Sequence, residues 1–218
     1  MSDGIGRVDV AGTGGATGMG DMVSTNGAAV GTGIAEVAAR MKLQSPEMAA
    51  TSVELRNAAL AGIREALVAN ADGVFAANEE DVRAAEGTGV SPAVVKRLRF
   101  DRHKLDDVCA GIDGLVGLPD PVGRTTLRRE LDEGLLLERV TCPIGVIGVI
   151  FEARPDALVQ ISALCIKSGN CAILKGGSET ARTNRALFRL IHDAAVGAGL
   201  PEDCLFQAEA HSQIDELL

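Results

Sequence analysis

The chain has 218 residues, of which 46% are hydrophobic and 2% aromatic, and its formal net charge is −9 at pH 7. This length and apolar content predict one ordinary domain or somewhat more, built around an aliphatic core. The negative charge and the scarcity of aromatic side chains argue against nucleic acid or an acidic membrane as the main partner. No apolar run is long enough to span a bilayer and the N-terminus lacks a signal pattern, so we expect a cytoplasmic protein.

The cysteines and histidines give no pattern of metal ligands. The five cysteines are widely spaced, mostly within apolar runs, and form no C-x-x-C pair. They therefore predict buried free thiols in a reducing compartment rather than a zinc site. No histidine has a second histidine or a cysteine three or four residues away, so we predict no metal site and expect surface or packing roles for His103, His192 and His211.

The first half of the chain divides into a tail and a helical layer. Residues 1–30 are rich in Gly, Ala and Thr and predict a flexible tail. Residues 31–123 have helical periodicity, with helices expected over about 51–70, 72–86 and 101–116 and a short helix starting at Ser91-Pro92. The first of these has two candidate starts: a capping box of Thr51 and Glu54, or the Ser45-Pro46 pair.

Residues 124–141 predict a β-hairpin. The segment "RTTLRRELDEGLLLERV" contains two strand-like runs joined at Asp132-Glu133-Gly134. Leu127 and Leu131 share one face of the first run, and Leu135 and Leu137 share one face of the second. Isolated hairpins are marginal in water, so we expect this one to lean on another sheet or another subunit.

Residues 142–218 alternate between strands and helices. The run "GVIGVIF" predicts a strand buried on both faces, and "CAILK" and "CLFQAEA" predict two further strands. Two helices separate them, the second beginning with Ser178 as its N-cap. This order predicts an α/β fold with a parallel sheet and right-handed crossovers.

Polar residues follow the first two of these strands. Phe151–Arg154 ends the first strand and Lys175–Glu179 ends the second. Ligands of parallel sheets bind outside the carboxyl ends of the strands, where Gly176 and Gly177 would let the backbone approach closely. The Lys175 charge and the outward-facing amides of the helix that Ser178 opens would suit a nucleotide ribose and phosphate. An ordinary turn between a strand and a helix is the competing interpretation.

Glu152 and Arg154 flank Ala153 and have two interpretations. They form a salt bridge that closes the end of the strand, or Arg154 attracts an anionic substrate. The residues alone leave these alternatives open.

The stretch "CPIGVIGVIFEARPDALVQISALCIKSGNCAILKGGSETARTN", from Cys142 to Asn184, resembles the signature of the gamma-glutamyl phosphate reductase family within the aldehyde dehydrogenase superfamily. The likeness extends from about Gly33 to the end of the chain. It implies NADPH-dependent reduction of L-glutamate 5-phosphate to L-glutamate 5-semialdehyde in proline biosynthesis. It also implies that residues 31–123 and 142–218 form part of a Rossmann-like NADP-binding domain, from which the hairpin 124–141 protrudes for oligomerisation.

The resemblance assigns roles to the two strand ends. Lys175 and Glu179, with Ser178 between them, would bind the adenosine ribose, and a lysine here favours NADP. Phe151 and Glu152 would lie near the nicotinamide, Gly176 and Gly177 would line the cofactor site, and Arg154 would face the substrate. General aldehyde dehydrogenases have an oxyanion-binding Asn where this chain has Ala153, so the oxyanion donor is unidentified.

The nucleophilic Cys of the family would lie beyond Leu218, so the resemblance identifies no catalytic residue here. We therefore expect this chain alone to be inactive and the full-length protein to be a homo-oligomer. Two interpretations follow. The chain is a fragment of the reductase, or it is a non-catalytic form that binds nucleotide or pairs with a complete subunit through the hairpin.

Overall fold

A computed structural model describes residues 33–209, and the predicted tail at residues 1–30 and His211 lie outside this range. The first part of the fold is the predicted helical layer. Its helices are α1 (Ile34–Ala49), α2 (Val53–Ala69), α3 (Ala71–Gly87), α4 (Pro92–Leu98) and α5 (Arg102–Gly117). Between residues 33 and 209, no helix combines the length and the apolar character needed to cross a membrane.

Both predicted starts of α2 are wrong. The hydroxyl of Ser52 caps the helix by accepting from the Leu55 N–H at 3.2 Å. The Thr51 hydroxyl instead donates to the Met48 carbonyl at 2.7 Å, at the end of α1. Pro46 lies inside α1, where the Ser45 hydroxyl donates to the Lys42 carbonyl at 3.0 Å. This bond satisfies the carbonyl that a residue with an N–H at position 46 would have used.

The predicted hairpin is present. Strands β1 (Thr125–Asp132) and β2 (Leu135–Val140) pair antiparallel, and Gly134 in the connecting turn has a φ of +76°. Every residue of both strands is exposed. The two strands therefore pair with each other, and no other part of residues 33–209 covers their leucines.

The parallel sheet contains β3 (Val146–Ile150), β4 (Cys171–Lys175) and β5 (Leu205–Gln207), in the order β3-β4-β5. Helices α6 (Pro155–Lys167) and α7 (Ala181–Gly197) connect them and pack side by side. These elements confirm the predicted α/β fold with a parallel sheet and a helical layer.

The prediction that the first strand of this sheet is buried on both faces is wrong. All five residues of β4 are buried, but β3 lies at the edge of the described sheet, and Ile150 is 61% exposed. A continuous apolar run is typical of a strand that is covered by other elements on both faces. Within residues 33–209, β3 pairs with β4 alone, which leaves one of its edges free.

The main core joins the sheet to the helical layer. It is aliphatic, as the composition predicts, and includes fully or nearly fully buried residues from α2, α6, β4 and α7: Leu60, Ile63, Leu158, Ile166, Leu174, Leu187 and Ile191. A second, smaller cluster of Val82, Ala85, Val95 and Leu98 packs α4 against α3. This second cluster sets the position of α4 beside the carboxyl end of the sheet.

Candidate functional site

The two polar strand ends lie side by side. The Phe151 N–H donates to the Lys175 carbonyl at 2.9 Å, one residue beyond the last β3–β4 pair, Ile150 and Lys175. Between the two ends is a cleft of about 400 Å³. Its lining comprises Val94, Arg97, Ile150, Phe151, Glu152, Ala153, Lys175, Gly176, Gly177, Ser178 and Glu179. This volume lies within the usual range of small-molecule sites.

Two glycines form the floor of this cleft. A β-carbon on Gly176 would collide with the Nδ2 of Asn184 and would lie 3.0 Å from the Phe151 ring. A β-carbon on Gly177 would lie 2.6 Å from Glu179 Oε2 and 3.2 Å from the Ala153 nitrogen. Asn184 is 1% exposed and its amide donates to the Thr180 hydroxyl at 3.0 Å, so it has little freedom to move away. Glycine at both positions therefore keeps the two strand ends in contact and leaves backbone open to a ligand.

Lys175 is the cation of the cleft floor. The residue is 5% exposed, and its ammonium donates to the Gly176 carbonyl at 2.6 Å. An ammonium has three N–H donors, so two remain for a ligand within the part of the chain that the structure describes. The carboxylates of Glu152 and Glu179, both on exposed residues, lie in the same lining.

The N-terminus of α7 differs from the prediction. Ser178 begins a 3₁₀ turn, Ser178–Thr180, and α7 itself begins at Ala181, so Ser178 is not its N-cap. The carboxylate of Asp81, from α3, instead accepts from the Thr183 N–H at 2.8 Å and from its hydroxyl at 2.7 Å. Asp81 is 2% exposed and also pairs with Arg182 at 3.2 Å. A protein carboxylate thus occupies the place where the sequence suggested a phosphate.

Arg154 does not form a salt bridge with Glu152. Its guanidinium lies 3.2 Å from Asp156 Oδ2, which also accepts from the Lys104 ammonium at 3.0 Å. The Arg154 side chain remains 57% exposed and is absent from the lining of the cleft. Two cations on one buried carboxylate leave a net positive charge beside the cleft, and the substrate role of Arg154 stays a prediction.

All five cysteines lie within the described residues, and none lines the cleft. Cys142 is exposed, and it lies before β3, at the opposite end of the strand from Phe151. The other four are buried: Cys109, Cys165, Cys171 and Cys204. Burial raises the pKa of Cys165 and Cys171 to about 11 and that of Cys204 to about 12, so these thiols are poor nucleophiles at neutral pH.

Neither described histidine belongs to the cleft. The His103 side chain is 84% exposed, and the Nε2–H of His192 donates to the Glu202 carbonyl at 2.9 Å. Across residues 33–209, no three His, Cys, Asp or Glu side chains are grouped as a metal site would need.

Sequence reasoning missed Arg97. The Ser91-Pro92 pair correctly predicts the start of α4, but no local signal indicates which side chains of α4 face the sheet. The small cluster formed by Val95 and Leu98 with α3 turns Val94 and Arg97 toward the cleft.

Comparison with known proteins places this geometry in context. No family model matches the chain. A curated gamma-glutamyl phosphate reductase from Ruminiclostridium cellulolyticum is 49% identical over 174 residues, which are 80% of this chain and 40% of that protein. The crystal structure of the gamma-glutamyl phosphate reductase from Thermotoga maritima matches with a TM-score of 0.80 and 30% identity, over 85% of this chain and 45% of that one.

A probable aldehyde dehydrogenase from Listeria monocytogenes matches with a TM-score of 0.60 at 17% identity, over 84% of this chain and 38% of that one. This more distant likeness shows a shared fold alone. The chain thus spans about two fifths of the length of the curated relatives that it matches.

Proposed function

We propose that this chain belongs to the gamma-glutamyl phosphate reductase family, of whose curated members it spans about two fifths, and that it supplies the dinucleotide-binding side of such a reductase. The complete protein would reduce L-glutamate 5-phosphate to L-glutamate 5-semialdehyde with NADPH, a step of proline biosynthesis. The five free thiols are typical of a protein kept in a reducing compartment, and we propose a cytoplasmic location on that ground.

The observation that carries this proposal is the contact between the two strand ends. The bond from Phe151 to Lys175 joins them into one cleft with a backbone floor, at the carboxyl edge of a parallel sheet. This edge is where open α/β sheets bind their ligands. The same geometry disfavours an ordinary turn, because a turn without a ligand needs neither a buried lysine nor two glycines in contact with neighbouring groups.

The residues of the cleft fit a nicotinamide dinucleotide. The unused N–H donors of Lys175 suit ribose oxygens or a phosphate, and the Glu179 carboxylate suits a ribose hydroxyl. Phe151 and Glu152 line the other wall, on the side where the nicotinamide would reach the substrate. When bound, NADPH supplies a hydride; the residues of this chain bind and orient it.

The reductase step also needs a thiolate nucleophile, and none of the five thiols of this chain is placed for that role. We therefore propose that the chain binds cofactor without turning over substrate by itself. Arg154 remains our candidate for attracting the substrate phosphate, since its side chain is more than half exposed and adds to the positive charge beside the cleft.

Replacing Lys175 with alanine should weaken NADPH binding roughly tenfold or more, and NADH binding by a smaller factor. Loss of a charge-assisted hydrogen bond removes about 1.5–3 kcal/mol, and a 2′-phosphate depends on the lysine charge more than a hydroxyl does. The measurement is titration of the purified chain with each dinucleotide, followed by nicotinamide fluorescence or calorimetry.

Lys175→Met is the matched variant, because it keeps most of the buried aliphatic stem while removing the charge. Lys42→Ala, at an exposed position on α1, is the control. Equal losses for the two dinucleotides in both Lys175 variants would remove the proposed 2′-phosphate contact, and no loss at all would remove Lys175 from the site.

A second candidate role, pairing with another subunit, is favoured by the hairpin. Leu127, Leu131, Leu135 and Leu137 are between 41% and 57% exposed on strands that nothing covers within the described residues. Exposed apolar groups of this density usually mark an interface. We propose that β1–β2 joins copies of the protein in a homo-oligomer.

The double change Leu135→Ser and Leu137→Ser should shift the chain toward monomer in size-exclusion chromatography with light scattering. Each buried leucine contributes about 1.5–3 kcal/mol to an interface, so the two together should change the dissociation constant by orders of magnitude. Leu136→Ser, which alternates to the other face of β2, is the control and should have the smaller effect. A monomeric parent chain, or unchanged assembly of the double variant, would contradict this role.

A further inference from the structure

Arg97 is a cation of the cleft without a partner of its own. Its neighbours on the same side of the molecule are paired: Arg99 with Glu86 at 3.2 Å, and Arg182 with Asp81 at 3.2 Å. Within residues 33–209, Arg97 forms no ion pair and no hydrogen bond, although it lies in the lining that also contains Glu152 and Glu179. Its guanidinium is thus free to bind a ligand anion.

The charges of the cleft oppose a phosphorylated ribose unless Arg97 takes part. Glu179 can accept a hydrogen bond from a free 2′-hydroxyl, which is how acidic residues select NAD in dinucleotide sites, whereas an arginine accommodates a 2′-phosphate. Lys175 alone faces two carboxylates, Glu152 and Glu179, and a phosphate would add further negative charge. Arg97 balances the second carboxylate, and its planar fork can bind two phosphate oxygens at once.

We propose that Arg97 binds the 2′-phosphate of NADP and sets the preference of the cleft for NADP over NAD. This inference rests on the proposed function, because it assigns one contact within the proposed cofactor site. It opposes Arg97 to Glu179: the arginine favours the phosphate, and the carboxylate favours the hydroxyl.

If Arg97 served only to stabilise α4, its neighbour Lys96 would serve the same purpose. Lys96 and Arg97 both lie in the last turn of α4, where a cation stabilises the helix dipole. Lys96 lines the outer groove with Glu86 and Arg99 and is absent from the cleft. Comparing variants of Lys96 and Arg97 therefore distinguishes stabilisation of the helix from binding of the ligand.

The experiment compares Arg97→Gln with Lys96→Gln in the full chain, titrated with NADPH, NADH, adenosine 2′,5′-bisphosphate and adenosine 5′-monophosphate. Arg97→Gln should weaken NADPH and the bisphosphate roughly tenfold to a hundredfold, the range expected for a lost charge-assisted contact. NADH and the monophosphate should change by less than about threefold, the scale of a distant surface charge. Lys96→Gln should leave all four unchanged, and Arg97→Lys should keep part of the preference.

Glu179→Gln provides the opposing test. In the Arg97→Gln background it should recover part of the lost NADPH affinity, because the repulsion between the carboxylate and the phosphate is gone. Far-UV circular dichroism checks that each variant is folded.

Three outcomes would overturn the inference. If the parent chain binds NADPH and NADH and Arg97→Gln weakens both equally, or neither, the cofactor site stands and Arg97 is not its selector. If Lys96→Gln has the same effect as Arg97→Gln, Arg97 contributes to binding only through the overall positive charge of this surface and not through a specific contact. If the parent chain binds none of the four probes, the proposed cofactor site fails and the inference fails with it.

Discussion

Replacing Arg56 with alanine should lower the free energy of unfolding by about 3 kcal/mol, because it removes a buried side chain together with the hydrogen bonds that its guanidinium donates. Arg56 is 1% exposed, yet its guanidinium donates to the Lys167 carbonyl at 2.6 Å and to Asp120 at 2.8 Å and 3.0 Å. These bonds tie α2 to the end of α6 and to the segment before the hairpin. Alanine would leave the buried Lys167 carbonyl without this donor and would open a cavity.

Arg64→Ala is the matched control for this variant. Arg64 lies on the same helix and also pairs with an aspartate, Asp113, at 3.0 Å, but the two side chains are 42% and 56% exposed. An exposed pair contributes about 0–1 kcal/mol, so this variant should differ little from the parent chain. Urea denaturation followed by far-UV circular dichroism measures both, and equal losses of stability would contradict the structural role of Arg56.

Raising the pH from about 9 to 11 should destabilise the chain by a few kcal/mol, because three buried thiols resist ionisation. Burial raises the pKa of Cys165 and Cys171 from 9.0 to about 11, and that of Cys204 to about 12. In this window the unfolded chain releases thiol protons that the folded chain still holds. The folded state binds more protons, so the free energy of unfolding falls as the pH rises.

Lys167 acts in the opposite direction, because desolvation lowers its pKa below 10.5, and it therefore offsets part of the loss. One such group against three thiols leaves a net destabilisation. The measurement is urea denaturation at pH 8, 9, 10 and 11 under reducing conditions.

The triple change of Cys165, Cys171 and Cys204 to alanine should lower stability at pH 8 and flatten its decline above pH 9. Cys142→Ser should keep the full decline, because the Cys142 side chain is exposed and is not one of the three buried thiols. Stability that is constant between pH 9 and 11, or an equally steep decline in the triple variant, would show that the thiols do not carry the effect.

Local patterns in the sequence determined most of the secondary structure. Helical periodicity located α3 and α5 to within about one residue, the Ser91-Pro92 pair located the start of α4, and the Asp132-Glu133-Gly134 signal located the hairpin turn. The uninterrupted apolar run at Cys171–Lys175 correctly indicated a strand, and all five of its residues are buried. The meeting of Phe151–Arg154 with Lys175–Glu179 followed from parallel topology alone, since neighbouring parallel strands end at the same edge.

The choice of partner for each polar side chain was not predictable in this way. Asp81 binds Thr183 across 102 positions in the chain, and this contact takes the helix terminus that the sequence offered to a phosphate. Arg154 pairs with Asp156. The sequence suggested either a salt bridge with Glu152 or an anionic substrate as its partner. Thr51 caps no helix, because its hydroxyl donates to the Met48 carbonyl at the end of α1 instead.

The sequence by itself determined the order of helices and strands, the aliphatic core and the two adjacent strand ends, because these depend on residues near one another in the chain. Only the tertiary structure decided that β3 is an exposed edge, that Asp81 occupies the start of α7, and that Arg97 enters the cleft. These features depend on which surfaces pack together, and the free energy of that packing is distributed over residues far apart in the chain.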